Sequence, residues 1–207
     1  TDVETKVYML RDKDYFYFIG SWQGCMSLFT VDLNGNVLPL NTDACDYNSL
    51  AWSRNRRLIV TRQSMRNATE IFSVDIRRGL AEKLSHENDH IFGQLDNMKV
   101  EARAVKTTDG KDMLTWVLLP PDFDKGKTYL AITICLGGPQ GTLSQGWSYR
   151  WNYSLMASQD YVVVLPNRRG TTAFGQQWTE QISGDYPGLN MQDYLVAAKE
   201  IKARDYV

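Results

Sequence analysis

The sequence predicts β-propeller blades followed by a layered α/β domain. Two observations carry this. The first half repeats one strand pattern at a fixed interval, and the second half switches to buried apolar strands separated by helical spacing. A third observation bounds the class. Hydrophobic residues make up 43% of the 207 residues, which is enough to bury a core and too much for a disordered chain.

The first half reads as strands and turns. Tyr15-Phe16-Tyr17-Phe18-Ile19 is rich in aromatic residues and stops at Gly20. Leu28 to Leu33 is a second strand, closed by Asn34-Gly35-Asn36; Asn-Gly between apolar runs favours the tight turns that need positive φ. Leu58 to Thr61 and Ile71 to Ile76 follow. Leu28-Phe29-Thr30-Val31-Asp32-Leu33 matches Ile71-Phe72-Ser73-Val74-Asp75-Ile76 position by position. The offset is about 43 positions, the size of a four-stranded propeller blade. An apolar residue follows each copy, at Leu40 and Leu84. Two similar hairpins in a sandwich would also repeat, but would not require this spacing. Two blades cannot close a ring, so such a pair exposes flanks that a whole propeller covers.

The second half has a different period. Val100 to Val105 and Met113 to Leu119 flank the turn Thr108-Asp109-Gly110, and Pro120-Pro121 ends the second strand. Tyr129 to Leu136 is a continuous apolar run, as in a strand buried on both faces, and breaks at Gly137-Gly138-Pro139. Within it, Cys135 is expected in the core. Helical spacing from Tyr149 to Ser158 leads to a second buried strand, Tyr161 to Leu165, ended by Pro166. A last helix is expected from Met191 to Ala203, with Asn190 as N-cap and Asp193 as the acid at N3. Strands alternating with helices predict parallel pairing. The domains are expected as 1–95 and 96–207, with the boundary between Gln94 and Asn97.

Composition narrows the partners. A net charge of -1 gives no pull toward nucleic acid or an anionic membrane. No apolar run approaches the roughly 20 residues of a spanning helix. Thr1 to Thr5 shows no signal-peptide pattern, which leaves the compartment open. Of the three cysteines, a Cys25–Cys45 bridge stays open as an alternative to free thiols.

Three segments could carry chemistry. His86-Glu87-Asn88-Asp89-His90 fits HExxH, in which two histidines one helical turn apart hold zinc and the glutamate acts as base. Asn88 and Asp89 are poor helix formers, and Gly93 follows closely, so a solvated turn is favoured over a metallopeptidase site. Gly141 to Gly146 has one residue too many for G-x-S-x-G, and Ser144 reads as a loop residue. Gly137-Gly138 at a strand end is either a tight turn or a loop whose N–H groups meet a ligand. Arg168 and Arg169 at the next strand end are expected to hold loops by ion pairs rather than to bind substrate.

These segments in order resemble the prolyl oligopeptidase family of serine peptidases: Leu136 to Gly141, Trp147 to Asn152, Pro166 to Gly170 with Phe174-Gly175, Gly184-Asp185-Tyr186, and Asn190 to Tyr194. The dipeptidyl-peptidase V and acylaminoacyl-peptidase branches are the nearest in pattern. The resemblance implies last propeller blades at 1–95 and the N-terminal portion of an α/β-hydrolase domain at 96–207, short of the nucleophile elbow. It implies a serine exopeptidase that releases dipeptides or acylated residues from peptide N-termini, uses no cofactor or metal, and acts on short peptides. Its Ser-Asp-His triad would lie beyond Val207, leaving this chain inactive alone. Only the oxyanion-side backbone of Leu136, Gly137 and Gly138 carries over, because Leu136 replaces the family's tyrosine or histidine and has no side-chain donor. The family branch suggests a periplasmic or secreted protein, with the cytoplasm and a homodimer left open. The rival readings are the zinc metallopeptidase on His86, Glu87 and His90, and a non-catalytic propeller module that binds partners.

Overall fold

A computed structural model describes residues 9–40, 42–95 and 98–207. The Thr1 to Thr5 stretch lies outside the described residues, as do Asp96 and Asn97 of the expected boundary segment. The chain forms two compact units. One runs to Gln94 and takes in Ser144–Trp147; the other comprises Leu95–Leu143 and Ser148–Val207.

The first unit holds two four-stranded antiparallel meanders. Strands β1 (Met9–Asp12), β2 (Tyr15–Trp22), β3 (Cys25–Asp32) and β4 (Val37–Pro39) form one sheet in chain order. Strands β5 (Asp46–Trp52), β6 (Leu58–Ser64), β7 (Asn67–Val74) and β8 (Ala81–Lys83) form the next. The sequence repeat reappears in the hydrogen bonds. Leu40 N–H donates to the Leu28 carbonyl at 2.8 Å, and Leu84 N–H donates to the matching Ile71 carbonyl at 2.8 Å. The carboxylates of Asp32 and Asp75 each accept the backbone N–H two residues on, at 2.9 Å, which organises both turns. The second turn is one residue longer: Asp32 N–H reaches the Asn36 carbonyl, whereas Asp75 N–H reaches that of Leu80.

The sheets stack front to back. Tyr17 and Leu28 of the first sheet share a core with Leu50, Leu58, Val60 and Val74 of the second. Strand alternation puts Phe29 on the opposite face from Leu28. There Phe29 stacks on its cross-strand partner Phe18, with centroids 5.4 Å apart. The repeat pairs Leu28 with Ile71, so the two residues occupy matching faces of successive sheets. Leu28 is fully buried, while Ile71 is 44% exposed. A third sheet of the same kind would cover Ile71 as the second covers Leu28.

The second unit is built on one mixed sheet of order β11-β12-β10-β9. Its strands are β9 (Lys99–Lys106), β10 (Asp112–Leu119), β11 (Leu130–Thr133) and β12 (Tyr161–Pro166). Only β11 and β12 run parallel; β10 is antiparallel to both β9 and β12. The expected parallel pairing is found between β11 and β12, the two strands separated by a helix, while β9 and β10, joined by a short turn, are antiparallel. Helix α2 (Tyr153–Ala157) packs on β12 and β10, α3 (Gln176–Glu180) follows a 3-10 turn at Thr172–Phe174, and α4 (Leu189–Lys202) packs along β12, β11 and β9. Val162 and Val164 face Ala197 and Ile201 of α4 in the core.

Three further expectations change. The apolar run from Tyr129 forms a strand only to Thr133, and Leu130 is 71% exposed. Among the described strands β11 has one neighbour, so the run lies at a sheet edge, and Cys135 is exposed rather than in the core. Helix α2 starts at Tyr153, because Asn152 caps it by accepting the Leu155 N–H at 3.0 Å. Helix α4 begins at Leu189, so Asn190 is inside the first turn and does not cap it. Asp185 accepts the Leu189 N–H instead, at 3.3 Å.

Candidate functional site

Beyond β11 the chain keeps its parallel course for one more bond, Ile134 N–H to the Val164 carbonyl, and then turns at Leu136-Gly137-Gly138-Pro139. Two groups grip this turn from below. The Leu136 carbonyl accepts from the Arg168 guanidinium and from the Tyr194 hydroxyl, both at 2.9 Å. The Pro139 carbonyl accepts a second Arg168 N–H at 2.7 Å. Arg168 is 2% exposed, and its Nε also donates to the Tyr194 oxygen at 3.1 Å. A buried guanidinium needs acceptors, and three loop carbonyls and the Tyr194 hydroxyl supply four here.

The pull on the carbonyls leaves the other side of the peptide plane free. Gly137 and Gly138 are exposed, and no described residue accepts from their N–H groups. Gly138 has φ +113°, a conformation that disfavours side chains, and a Cβ on either glycine would meet only open space. The turn therefore leaves two exposed N–H groups without an acceptor among the described residues, at a strand end.

The loop after β12 holds this arrangement in place. Asn167 accepts the Leu143 N–H and donates to the Leu143 carbonyl, each at 3.0 Å. Arg169 is fully buried and forms a two-point pair with Asp193, at 2.8 and 2.9 Å. The same Asp193 carboxylate accepts the Arg169 backbone N–H at 2.9 Å. Arg169 also donates to Asp109 at 2.9 Å, and this bond, together with bonds from Thr107 and Lys111, holds the Asp109 carboxyl well below the usual range. Gly170 is obligatory, since φ is +98° and a Cβ would collide with the Arg168 guanidinium. Arg169 holds its loop by ion pairs, as the sequence reading favoured, whereas Arg168 holds the glycine turn through backbone carbonyls and the Tyr194 hydroxyl. Asp193 serves the second arginine rather than the end of α4, because both of its oxygens are turned inward.

A cavity of about 330 Å³ opens between the Cys135–Gly137 backbone and the start of α4. Tyr186, Pro187, Met191 and Tyr194 contribute to its walls, with Asn190 among them. Sequence reasoning missed Tyr186, Pro187 and the Tyr194 hydroxyl as parts of this site. The only signal for Tyr186 and Tyr194 was their place in the resemblance motifs, and Pro187 had none.

The remaining candidates lie elsewhere. Helix α1 (Asp89–Phe92) begins after His86, so His86 and His90 do not share a helix turn, and the His86 ring bonds Asp89 at 2.6 Å. Among the described residues no group of three or more His, Cys, Asp or Glu is placed to hold a metal. Ser144 is in a loop and donates to Asp46 at 2.6 Å. Asp46, 2% exposed, also accepts the N–H groups of Met26 and Gln145, and burial pushes its carboxyl pKa up. Cys25 and Cys45 are free and buried; burial, with the nearby Asp46 and Cys45, pushes the Cys25 thiol to about 12.

The sheet order, the glycine turn at the end of β11 and the stacked meanders together define the class: propeller blades followed by the N-terminal part of an α/β-hydrolase-type domain. Residues 147–207 match the model of the prolyl oligopeptidase family. Dipeptidyl-peptidase 5 of Porphyromonas gingivalis is 44% identical over 95% of this chain and 29% of its own length. Dipeptidyl-peptidase 5 of Aspergillus fumigatus is 31% identical over 83% of this chain and 24% of its length. The fold matches Pyrococcus horikoshii acylaminoacyl peptidase with TM-score 0.79 at 21% identity, covering 94% of this chain and 30% of that one. It matches P. gingivalis dipeptidyl peptidase 4 with TM-score 0.74 at 21% identity, covering 98% and 30%. The chain belongs to the prolyl oligopeptidase family, and it spans less than a third of the length of the curated relatives it matches.

Proposed function

We propose that these 207 residues are part of a serine exopeptidase that releases dipeptides or acylated residues from the N-termini of short peptides. Residues 1–95 contribute the last propeller blades, and residues 96–207 the N-terminal portion of the hydrolase domain. The observation that carries this reading is the open edge of β11 beside the exposed Gly137-Gly138 turn. Tyr129 N–H donates to the Tyr206 carbonyl at 2.8 Å, so the chain leaving α4 returns to the foot of β11. A right-handed crossover from β12 through α4 would add the next parallel strand there. The strand order reverses at β11, and in open α/β sheets ligands bind at such a reversal, outside the carboxyl ends of the strands.

In the whole enzyme that added strand carries the nucleophilic serine on a sharp turn at its upper end. The serine attacks the peptide carbonyl while histidine, oriented by aspartate, takes its proton and returns it to the leaving amine. Charge develops on the carbonyl oxygen, and backbone N–H groups of the Leu136–Gly138 segment stabilise it. Tyr194 and Arg168 hold that segment by its carbonyls. The loss of side-chain donation at Leu136 places this role on the backbone.

The test compares the full-length protein with the 207-residue chain on dipeptidyl and acyl-aminoacyl chromogenic substrates. The full-length protein should turn over at least one class and lose activity to a serine-directed inhibitor, while the short chain shows none. Inhibitor-insensitive turnover by the short chain would overturn the reading. Activity that is lost on chelation and restored by zinc would favour the His86–His90 alternative.

A further inference from the structure

Cys25 and Cys45 are 7% and 2% exposed, and the proposed reaction uses neither. Cys25 opens β3, and Cys45 follows 20 positions later, directly before β5. The fold brings them back together. Strand β4 runs antiparallel to β3, and Leu40 N–H extends the ladder by donating to the Leu28 carbonyl at 2.8 Å. The chain thereby returns along β3 toward its start. At that end the Met26 N–H donates to the Asp46 carboxylate at 2.8 Å, which joins the sequence neighbours of both cysteines. The Cys45 backbone N–H bonds the Cys25 sulfur, and the two thiols repel as they ionise. A lone buried cysteine serves as a small apolar residue. A neighbouring pair from separate strands has a second option.

We propose that Cys25 and Cys45 are a disulfide site that staples the start of β3 to the entry of β5 when the first unit folds in an oxidising environment. The reaction needs a donor disulfide, RSSR. One cysteine thiolate attacks it, forming a mixed disulfide and releasing RS⁻. The other thiolate attacks the protein sulfur of that mixed disulfide, forming the Cys25–Cys45 bond and releasing a second RS⁻. Each cysteine gives up one proton and one electron, and the donor is reduced to two thiols. The folded unit resists this chemistry. Its two thiols are shut away from a donor, and burial, with the nearby Asp46 and Cys45, leaves Cys25 almost without thiolate at neutral pH. The bond therefore forms while the chain is still open, and folding seals the state it has reached. In the chain-entropy account, closing a loop of this length stabilises the fold by restricting the unfolded ensemble.

The experiment produces the full-length protein twice, once exported to the oxidising periplasm of a bacterial host and once in a reducing cytoplasm. Each sample is denatured, alkylated and mapped by mass spectrometry without reduction. The exported protein should yield the Cys25 and Cys45 peptides linked and lighter by two hydrogen atoms. The cytoplasmic protein should yield both cysteines alkylated. Incubated with oxidised glutathione, the folded cytoplasmic protein should gain the bond at least about tenfold more slowly than the same protein refolding in that buffer. The linked form should melt at least about 3 °C above the reduced form. Cys45→Ser should abolish both the linked peptide and this difference. Free Cys25 and Cys45 in the exported protein, or either one joined to another thiol, would overturn the proposal. A bond that leaves the melting temperature unchanged would overturn the staple. Should Cys45→Ser fail to fold, the peptide map of the exported wild-type protein decides alone.

Discussion

In the first unit, Leu28, Leu58 and Val60 meet between two sheets and contribute no polar atoms to the contact. In the second, the loop after β12 is held by two buried guanidinium groups, each satisfied by acceptors at fixed positions. The first arrangement tolerates changes of shape, because apolar contact has no direction. The second tolerates little, because losing one acceptor leaves part of a buried guanidinium unpaired. The propeller-like unit can thus be assembled by repetition, while the loop beneath the candidate site must be specified residue by residue.

Four predictions sharpen or break that comparison. Asp193→Ala should have the largest effect, destabilising the second unit by about 3–5 kcal/mol, because it strands Arg169 without its buried partner. Denaturant unfolding would read this, with hydrogen exchange of the α4 amides locating it. Next, Leu28→Ala should cost about 2–5 kcal/mol, whereas Ile71→Ala at the matching position should cost under about 1 kcal/mol in this chain. Equal losses would refute the front-to-back stacking. Tyr194→Phe removes a hydroxyl that both accepts from Arg168 and donates to the Leu136 carbonyl, and should cost about 1–2 kcal/mol. The smallest effect concerns pH. Asp109 titrates below its unfolded value of about 3.9, so its stabilisation is complete above that pH and fades as pH falls below it. Asp109→Asn should flatten the acid limb of the stability curve for the second unit. Asp46 has the opposite sign: its raised pKa means that stability declines as pH rises from about 3.9 through the folded value.

The repeat was legible because it is written in side chains of one alternating period, and Leu28 and Ile71 carry it at the same register. Strands β4 and β8 were not singled out, as three residues are too few to show a period. Strand β5 was hidden by Asp46, Asn48 and Ser49, and by a bulge between Tyr47 and Ser49. The glycine turn could be read from composition, but its grip could not. Arg168, Tyr194 and Leu136 are far apart in the chain, and nothing local signals that a hydroxyl and a guanidinium share one carbonyl. Asp193 showed the limit most clearly. Its spacing suited a helix cap, and burial beside Arg169 gave it a different task. The edge position of β11 was invisible too, since an apolar run looks the same whether one neighbour or two are present.

The most direct measurement is fluorophosphonate labelling of the full-length protein, with the modified peptide identified by mass spectrometry. The account predicts a single modified serine outside residues 1–207, and no modification of the 207-residue chain under the same conditions. Stoichiometric modification of Ser144, or of any other serine within these residues, would contradict it.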